Sequence, residues 1–258
     1  MAFKGLDLTG KTAVVVGGTS GIGRAISLGL AEAGANVVAS SRRKEQVDAV
    51  AAEIEQRGRK TLRFTSDVGD RSSLEKLLDA TVKAFGKVHI LVNCAGTTKR
   101  APTVDFSEED WNRIMDTNLT GTLRACQIFG KHMIGNQYGR IINIASLSSF
   151  VALMEVAAYG ASKAAVASLT RSLAVEWAQH GVCVNAIAPG VFPTPLNEKL
   201  LTGSARGQEF VLRTPMKRFG KVDELAGAAV FLASDSASFV TGEVLCVDGG
   251  FLASGVNQ

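Results

Sequence analysis

This chain of 258 residues is short of several things, and each shortage removes a class of function. Its four cysteines, Cys94, Cys126, Cys183 and Cys246, lie far apart and never form a CxxC pair. Neither a zinc site nor a disulfide framework is indicated, and they read as small buried hydrophobes. The three histidines, His89, His132 and His180, are equally dispersed, so no metal is expected. Aromatic residues make up 6%, the net charge is +4, and the basic residues are scattered apart from short clusters such as Arg42-Arg43-Lys44. A nucleic-acid binder more typically carries a basic stripe with interleaved aromatics, so no nucleic-acid partner is expected. No apolar run reaches the roughly 18 residues of a membrane span. The first eleven residues alternate polar and apolar and lack the apolar core of a signal peptide. No membrane partner is expected and the simplest location is the cytoplasm. Linkers, repeats and low-complexity segments are also missing, which points to one domain over 1–258.

What is present is apolar residues at 46% and 27 glycines, material for a core and for tight turns. Strand-like and helix-like patterns alternate from the start. Strands are predicted over 12–16, 36–40, 61–65, 88–92, 140–145, 182–187 and 244–247. Helices are predicted over 22–33, 44–57, 72–85, from Tyr159 toward Ala178, and over 222–232. This alternation calls for parallel pairing with right-handed crossovers, hence an α/β fold with helices on both faces of a doubly wound Rossmann-type sheet. The 190–213 stretch is proline-rich with little periodicity and reads as a mobile loop with short helices over a substrate.

Between the first strand and first helix lies Gly17-Gly18-Thr19-Ser20-Gly21-Ile22-Gly23. Glycines permit positive φ and let a backbone approach a pyrophosphate, which the helix N-terminus then stabilises. The strand–loop–helix setting is the one a dinucleotide site requires, although the spacing differs from the common GxGxxG. At the end of the second strand a carboxylate would hold a ribose 2′-hydroxyl and repel a 2′-phosphate. This chain has Ser40-Ser41-Arg42-Arg43 there and no acid until Glu45. A guanidinium grips phosphate through forked, charge-assisted hydrogen bonds, so NADP(H) is the expected cofactor, with Ser41, Arg42 and Arg43 at its 2′-phosphate.

Tyr159 and Lys163 are four residues apart, and Ser146 lies thirteen upstream of the tyrosine. On a helix, i and i+4 share a face, so phenol and ammonium point the same way. A phenol with an ordinary pKa of about 10 is brought toward a useful range by a nearby cation. Ser146 would then hold the reacting oxygen from the other side. In isolation the pair reads first as a half-buried tyrosine and a snorkelling lysine on a surface helix.

With the glycine loop, Asn118, Ser146, Tyr159 and Lys163 together, the chain resembles the classical short-chain dehydrogenases/reductases. The resemblance runs from Leu8-Thr9-Gly10-Lys11 to Val247-Asp248-Gly249-Gly250. Two departures are local: Val16-Gly17 where members have Thr-Gly, and Asn93-Cys94-Ala95-Gly96 where they have Asn-Asn-Ala-Gly. The resemblance implies that Tyr159 is the general acid/base and that Lys163 lowers its pKa and holds the nicotinamide ribose. It also implies that Ser146 orients the carbonyl and that Asn118 holds a water linking Lys163 to solvent. It makes Gly17, Thr19, Ser20, Gly21, Ile22, Gly23, Asn93, Ala95 and Gly96 cofactor contacts. Asp67-Val68 would meet the adenine, and Pro189-Gly190, with Phe192 and Thr194 just beyond, the nicotinamide. A homotetramer is implied as well, packed through the segment 105–135 and the Tyr159 helix.

The resemblance implies a small ketone or secondary alcohol as substrate. Lys99 and Arg100 after Gly96 offer two cations to a carboxylate, and Ser148 and Met154 are further candidate contacts. The run Thr97-Thr98-Lys99-Arg100, with the segment after Pro189, looks most like the gluconate 5-dehydrogenase and 2-deoxygluconate dehydrogenase branch. Phe150, Leu153 and Met154 would wall an apolar pocket. An alternative is a 3-oxoacyl-acyl-carrier-protein reductase, with Lys99, Arg100 and Arg124 facing an acidic carrier. A remote alternative, a non-catalytic nucleotide sensor, is opposed by the intact set Asn118, Ser146, Tyr159 and Lys163.

Overall fold

A computed structural model describes residues 5–195 and 197–255. Residues 1–4, 196 and 256–258 lie outside the described residues, including part of the N-terminal segment read above for a signal peptide. The strands are β1 (Thr12–Val16), β2 (Asn36–Ser40), β3 (Ile90–Asn93), β4 (Gly139–Ile144), β5 (Val182–Pro189) and β6 (Val244–Val247). They form one sheet in the order β2-β1-β3-β4-β5-β6, and every pairing is parallel. The chain runs outward from β1 to β2 and then crosses back to β3, so the winding reverses between β1 and β3. A ligand crevice opens at such a switch point, beyond the carboxyl ends of the strands.

Side chains alternate across a strand, and β1 shows the result. Ala13 and Val15 join a core with Ile26 and Leu30 of α1 (Gly21–Glu32), Val50 and Ile54 of α2 (Lys44–Gln56), and Ala229 and Leu232 further on. Val14 and Val16 join a second core on the opposite face. Its partners include Leu74 and Leu77 of α3 (Arg71–Phe85), Phe129 and Met133 of α5 (Gly121–Gly135), and Leu173 of α6 (Ala157–Trp177). The doubly wound layout expected from the alternating pattern is therefore present, with a buried core on each face.

The strand expected over 61–65 does not form. That segment follows the edge of β2 without a ladder: Val37 N donates to Lys60 O, Ser66 N donates to Ser41 O, and the Ser40 hydroxyl donates to Phe64 O. A serine side chain takes the place of a backbone pairing, so the sheet stops at β2. Helix α4 (Glu108–Met115) passes into α5 through a π-turn, Asp116–Thr120, which the sequence pattern does not reveal. The 190–213 region holds two short helices, α7 (Glu198–Leu201) and α8 (Ala205–Arg213). The predicted 222–232 helix begins as a 3₁₀ turn, Val222–Leu225, before α9 (Ala226–Ala233). No helix among the described residues is long and apolar enough to cross a membrane.

Candidate active site

At the switch point the turns after β1 and β3 touch backbone to backbone. Gly17 has φ +77°, and a Cβ there would lie 2.5 Å from Ala95 N. A Cβ on Gly23 would lie 2.1 Å from Gly17 O, so the loop closes onto the first turn of α1 only because both positions are glycine. Ser20, the N-cap, is extended and makes no side-chain cap, and the first turn of α1 holds no acid. The leading amides of the helix are thus left for an anion, which the helix dipole also favours. Thr194 overhangs the loop, 3.2 Å from where a Gly21 Cβ would sit. A pyrophosphate fits this cradle.

The adenosine end is equally open to a nucleotide. The Thr19 hydroxyl donates to Ser41 Oγ at 2.7 Å, tying the glycine loop to the end of β2. Arg42 and Arg43 are exposed and belong to no ion pair among the described residues. Asp67 caps its own turn by accepting from Gly69 N, while Val68 packs on Gly121. Arg124 donates to Val68 O and pairs with Asp116, which ties the adenine-side turn to the π-turn.

Two expected cofactor contacts face elsewhere. Phe192 is buried in the core and its ring fills the space beside Gly220, so only its backbone is left for the crevice. Asn93 turns its side chain inward, where Nδ2 donates to Asn143 Oδ1 at 2.9 Å. Its Oδ1 is buried without a hydrogen-bond partner among the described residues. By contrast Pro189 closes β5, and Gly190 passes so near Asp248 that a Cβ would lie 2.6 Å from that residue's Cα.

The proton-handling groups come together on the ends of β4 and α6. Ser146 follows β4 and lies within hydrogen-bonding reach of the Tyr159 hydroxyl. Lys163 Nζ sits 5.8 Å from the Tyr159 ring centroid and donates to Ile144 O at 2.6 Å. Burial holds this ammonium down to about 8 from an ordinary 10.5. The expectation that Lys163 draws the Tyr159 phenol downward is not what the structure shows. Burial pushes the phenol up, and the opposing influence is the hydrogen bond from Ser146.

Asn118 is fully buried in the π-turn, and its amide is spent on protein partners. Oδ1 accepts from Thr97 N at 2.8 Å, and Nδ2 donates to Thr97 O and to Ser162 Oγ, each at 3.0 Å. Gly96 leaves room between this amide and Lys163: a Cβ there would lie 3.5 Å from Asn118 Oδ1 and 3.8 Å from Lys163 Nζ. Cys94, in the family's asparagine position, lies near Lys163, and burial pushes its thiol up to about 12.

The residues expected at the substrate have partners or exposure of their own. Lys99 is paired with Asp110, and Arg100 donates to Glu155 Oε2 at 2.5 Å, so each cation already has a carboxylate. Ser148 is buried, bonded through both Oγ and N to the Ser146 hydroxyl, and so supports that residue from behind. Met154 is 74% exposed, and Phe150 is also exposed. Ser162, which with Thr97 holds Asn118, and Ser149, which donates to Lys163 O, are not singled out by the sequence, and Thr97 is read there only as part of the run 97–100. Their contacts join segments far apart in the chain.

Residues 16–252 match the family described as enoyl-(acyl carrier protein) reductase. The chain is 40% identical over 248 residues to gluconate 5-dehydrogenase of Gluconobacter oxydans, covering 96% of this chain and 97% of that protein. It is 42% identical to an NAD-dependent glycerol dehydrogenase of Listeria innocua, covering 97% and 99%. Among solved structures, a putative NAD(P)-dependent gluconate 5-dehydrogenase from Beutenbergia cavernae with bound NADP superposes with a TM-score of 0.92. The two are 43% identical, over 97% of this chain and all of that one.

Proposed function

The chain belongs to the classical short-chain dehydrogenase/reductase family, oxidoreductases of secondary alcohols and ketones, and on that footing we propose that it uses NADP(H) on a small sugar acid of gluconate type. The cofactor half is carried by one observation: the turn after β2 presents Ser41, Arg42 and Arg43 with no carboxylate. Guanidinium groups there favour a 2′-phosphate, whereas an acid would repel it. The substrate half rests on likeness to gluconate dehydrogenases over nearly the whole chain.

Gly17, Gly21, Gly23 and the amides of α1 would hold the pyrophosphate, Asp67 and Val68 the adenine side, and Gly190 and Thr194 the nicotinamide end. When bound, the nicotinamide gives or takes the hydride. The chain's own groups handle the proton and the oxygen. Tyr159 gives its hydroxyl proton to the carbonyl oxygen in reduction and recovers one in oxidation. Ser146, backed by Ser148, donates a second hydrogen bond to that oxygen as charge develops. Lys163 supplies the neighbouring positive charge and reaches the ribose. Asn118 keeps the π-turn closed around Thr97 and Ser162, beside the space from which a water would connect Lys163 to solvent. The 190–213 segment closes over the substrate.

The active species is a homotetramer in the cytoplasm, packed through the 105–135 segment and α6. In support, the outer face of α6 leaves Ala157, Ala161, Ala164 and Val175 exposed. Light scattering would show a dimer or monomer if this is wrong. Acyl-thioester reduction is the second reading, favoured by the description of the matching family.

Nicotinamide absorbance with NADPH and NADH against 5-ketogluconate-type acids, neutral ketoses and an acetoacetyl thioester tests the cofactor and the substrate choices. The expected result is preference for NADPH and the sugar acid; preference for the thioester replaces the substrate assignment. Arg42→Ala with Arg43→Ala is expected to raise KM for NADPH by about tenfold or more, the scale of a lost charge-assisted bond, and to leave NADH unchanged.

A further inference from the structure

Resting on that reading, we propose that Arg206 of α8 is the residue that receives the substrate's carboxylate. Three loops meet near the reacting end of α6. Residues 97–101 arrive from β3, 150–156 lead from Ser146 into α6, and α8 arrives from the 190–213 segment. They are joined at Glu155, a non-glycine residue at φ +65° only four positions before Tyr159. Its carbonyl accepts from Ala101 N, its carboxylate takes Arg100, and the neighbouring Met154 carbonyl accepts from Arg206 Nη1 at 3.2 Å.

The charges at this junction do not balance. Glu155 is taken by Arg100, and Glu209, one turn along α8, is paired with Arg213 at 2.9 Å. Lys99 and Arg113 share Asp110. Arg206 faces Arg100, Glu155 and Glu209, yet has no ion pair of its own among the described residues. Its guanidinium lies over the Phe210 ring, 5.5 Å from the centroid, and its one side-chain hydrogen bond among the described residues goes to a neutral carbonyl. A planar fork with spare donors, held by an aromatic face and a backbone oxygen, suits a carboxylate. Arg206 thus takes the role that the sequence assigns to Lys99 and Arg100, because those two are already neutralised. It positions and selects the substrate and takes no part in proton transfer.

The test compares gluconate with glucitol, which replaces the carboxylate by a hydroxymethyl group, in the NADP-loaded enzyme. Arg206→Gln keeps a donor for the Met154 carbonyl and removes the charge; Arg206→Lys keeps the charge. Arg206→Gln is expected to raise KM for gluconate about tenfold or more, as loss of one charge-assisted contact does, with kcat and KM for glucitol within about twofold. Arg206→Lys should recover most of the loss. If Arg206→Gln raises KM for both substrates equally, or for neither, while the wild type prefers the acid, the assignment of Arg206 is overturned and the sugar-acid reading stands. A wild type that prefers glucitol overturns both.

Discussion

The chain has two tyrosines, and they stand at opposite ends of the same sheet. Tyr138 lies just before β4, at the edge where Lys11 precedes β1 and His89 precedes β3. Tyr159 lies at the edge where the strands end. Tyr138 is the richer in cations: Lys11 Nζ is 3.9 Å from its ring centroid and the Arg140 guanidinium 4.6 Å. Tyr159 has one cation, at 5.8 Å. Burial pushes both phenols up. Nearby positive charge therefore does not by itself make a proton-transfer tyrosine. The difference is the partner of the hydroxyl. Tyr138 donates to Asp235 at 2.9 Å, and a carboxylate that only accepts holds the proton in place. Tyr159 meets Ser146, whose hydroxyl both donates and accepts, so its proton can leave toward a substrate oxygen and return.

The sharpest break in this comparison is Tyr159→Phe, expected to lower kcat about a thousandfold, within the range of general acid–base catalysis. NADPH binding, read by fluorescence titration, should stay as it was. Next is Lys163→Met. A buried lysine that is harder to protonate when folded, at about 8 against 10.5, costs stability while it is charged. That cost is complete below pH 8 and fades as pH rises from there toward 10.5. Thermal melts should therefore show Lys163→Met no less stable than wild type at pH 7, with any advantage shrinking above pH 8, while kcat falls by about a hundredfold.

At the other end, Tyr138→Phe should leave kcat within about twofold and cost about 1 kcal/mol in urea unfolding, the net worth of one hydrogen bond. A large loss of activity in Tyr138→Phe would erase the distinction between the two ends. The smallest effect concerns the histidines there. His89 Nδ1 accepts from Thr12 N and His132 Nε2 accepts from Val88 N, so both rings must be neutral. Burial lowers the proton affinity of each below the ordinary 6.5. Their stabilisation is complete above pH 6.5 and is lost as pH falls through the folded values. Tm should drop by a few degrees between pH 7 and pH 5, and His89→Gln should flatten that slope.

The contrast between the two ends also explains what the sequence discloses. The C-terminal end is written in short motifs, because a glycine loop and an i, i+4 pair are local devices; Gly17, Gly23, Tyr159 and Lys163 stand where the spacing puts them. The Tyr138 cluster draws on Lys11, His89, Arg140 and Asp235, which no local pattern connects. The absent strand at 61–65 failed for a related reason: its neighbour Ser40 bonds through a side chain, which periodicity does not record. The same holds for Lys99 and Arg100. Their type was readable, while the acids that occupy them, Asp110 and Glu155, were 11 and 55 residues away. Ser148 looked like a pocket residue and is a brace because Ser146 turns back toward it.

The knot at Glu155 bears on how such a protein changes over generations. The proton-handling groups ride on a long helix and a strand end, and the three loops at their mouth are stitched together at one strained residue. A lineage can exchange α7 and α8 for another segment and retain its reaction, provided the new piece still finds the Met154 carbonyl. Glu155 holds the 97–101 loop through both its carbonyl and its carboxylate, whereas α8 reaches the neighbouring Met154 carbonyl, so inherited variation in substrate choice should accumulate at 205–213 sooner than at Glu155 itself.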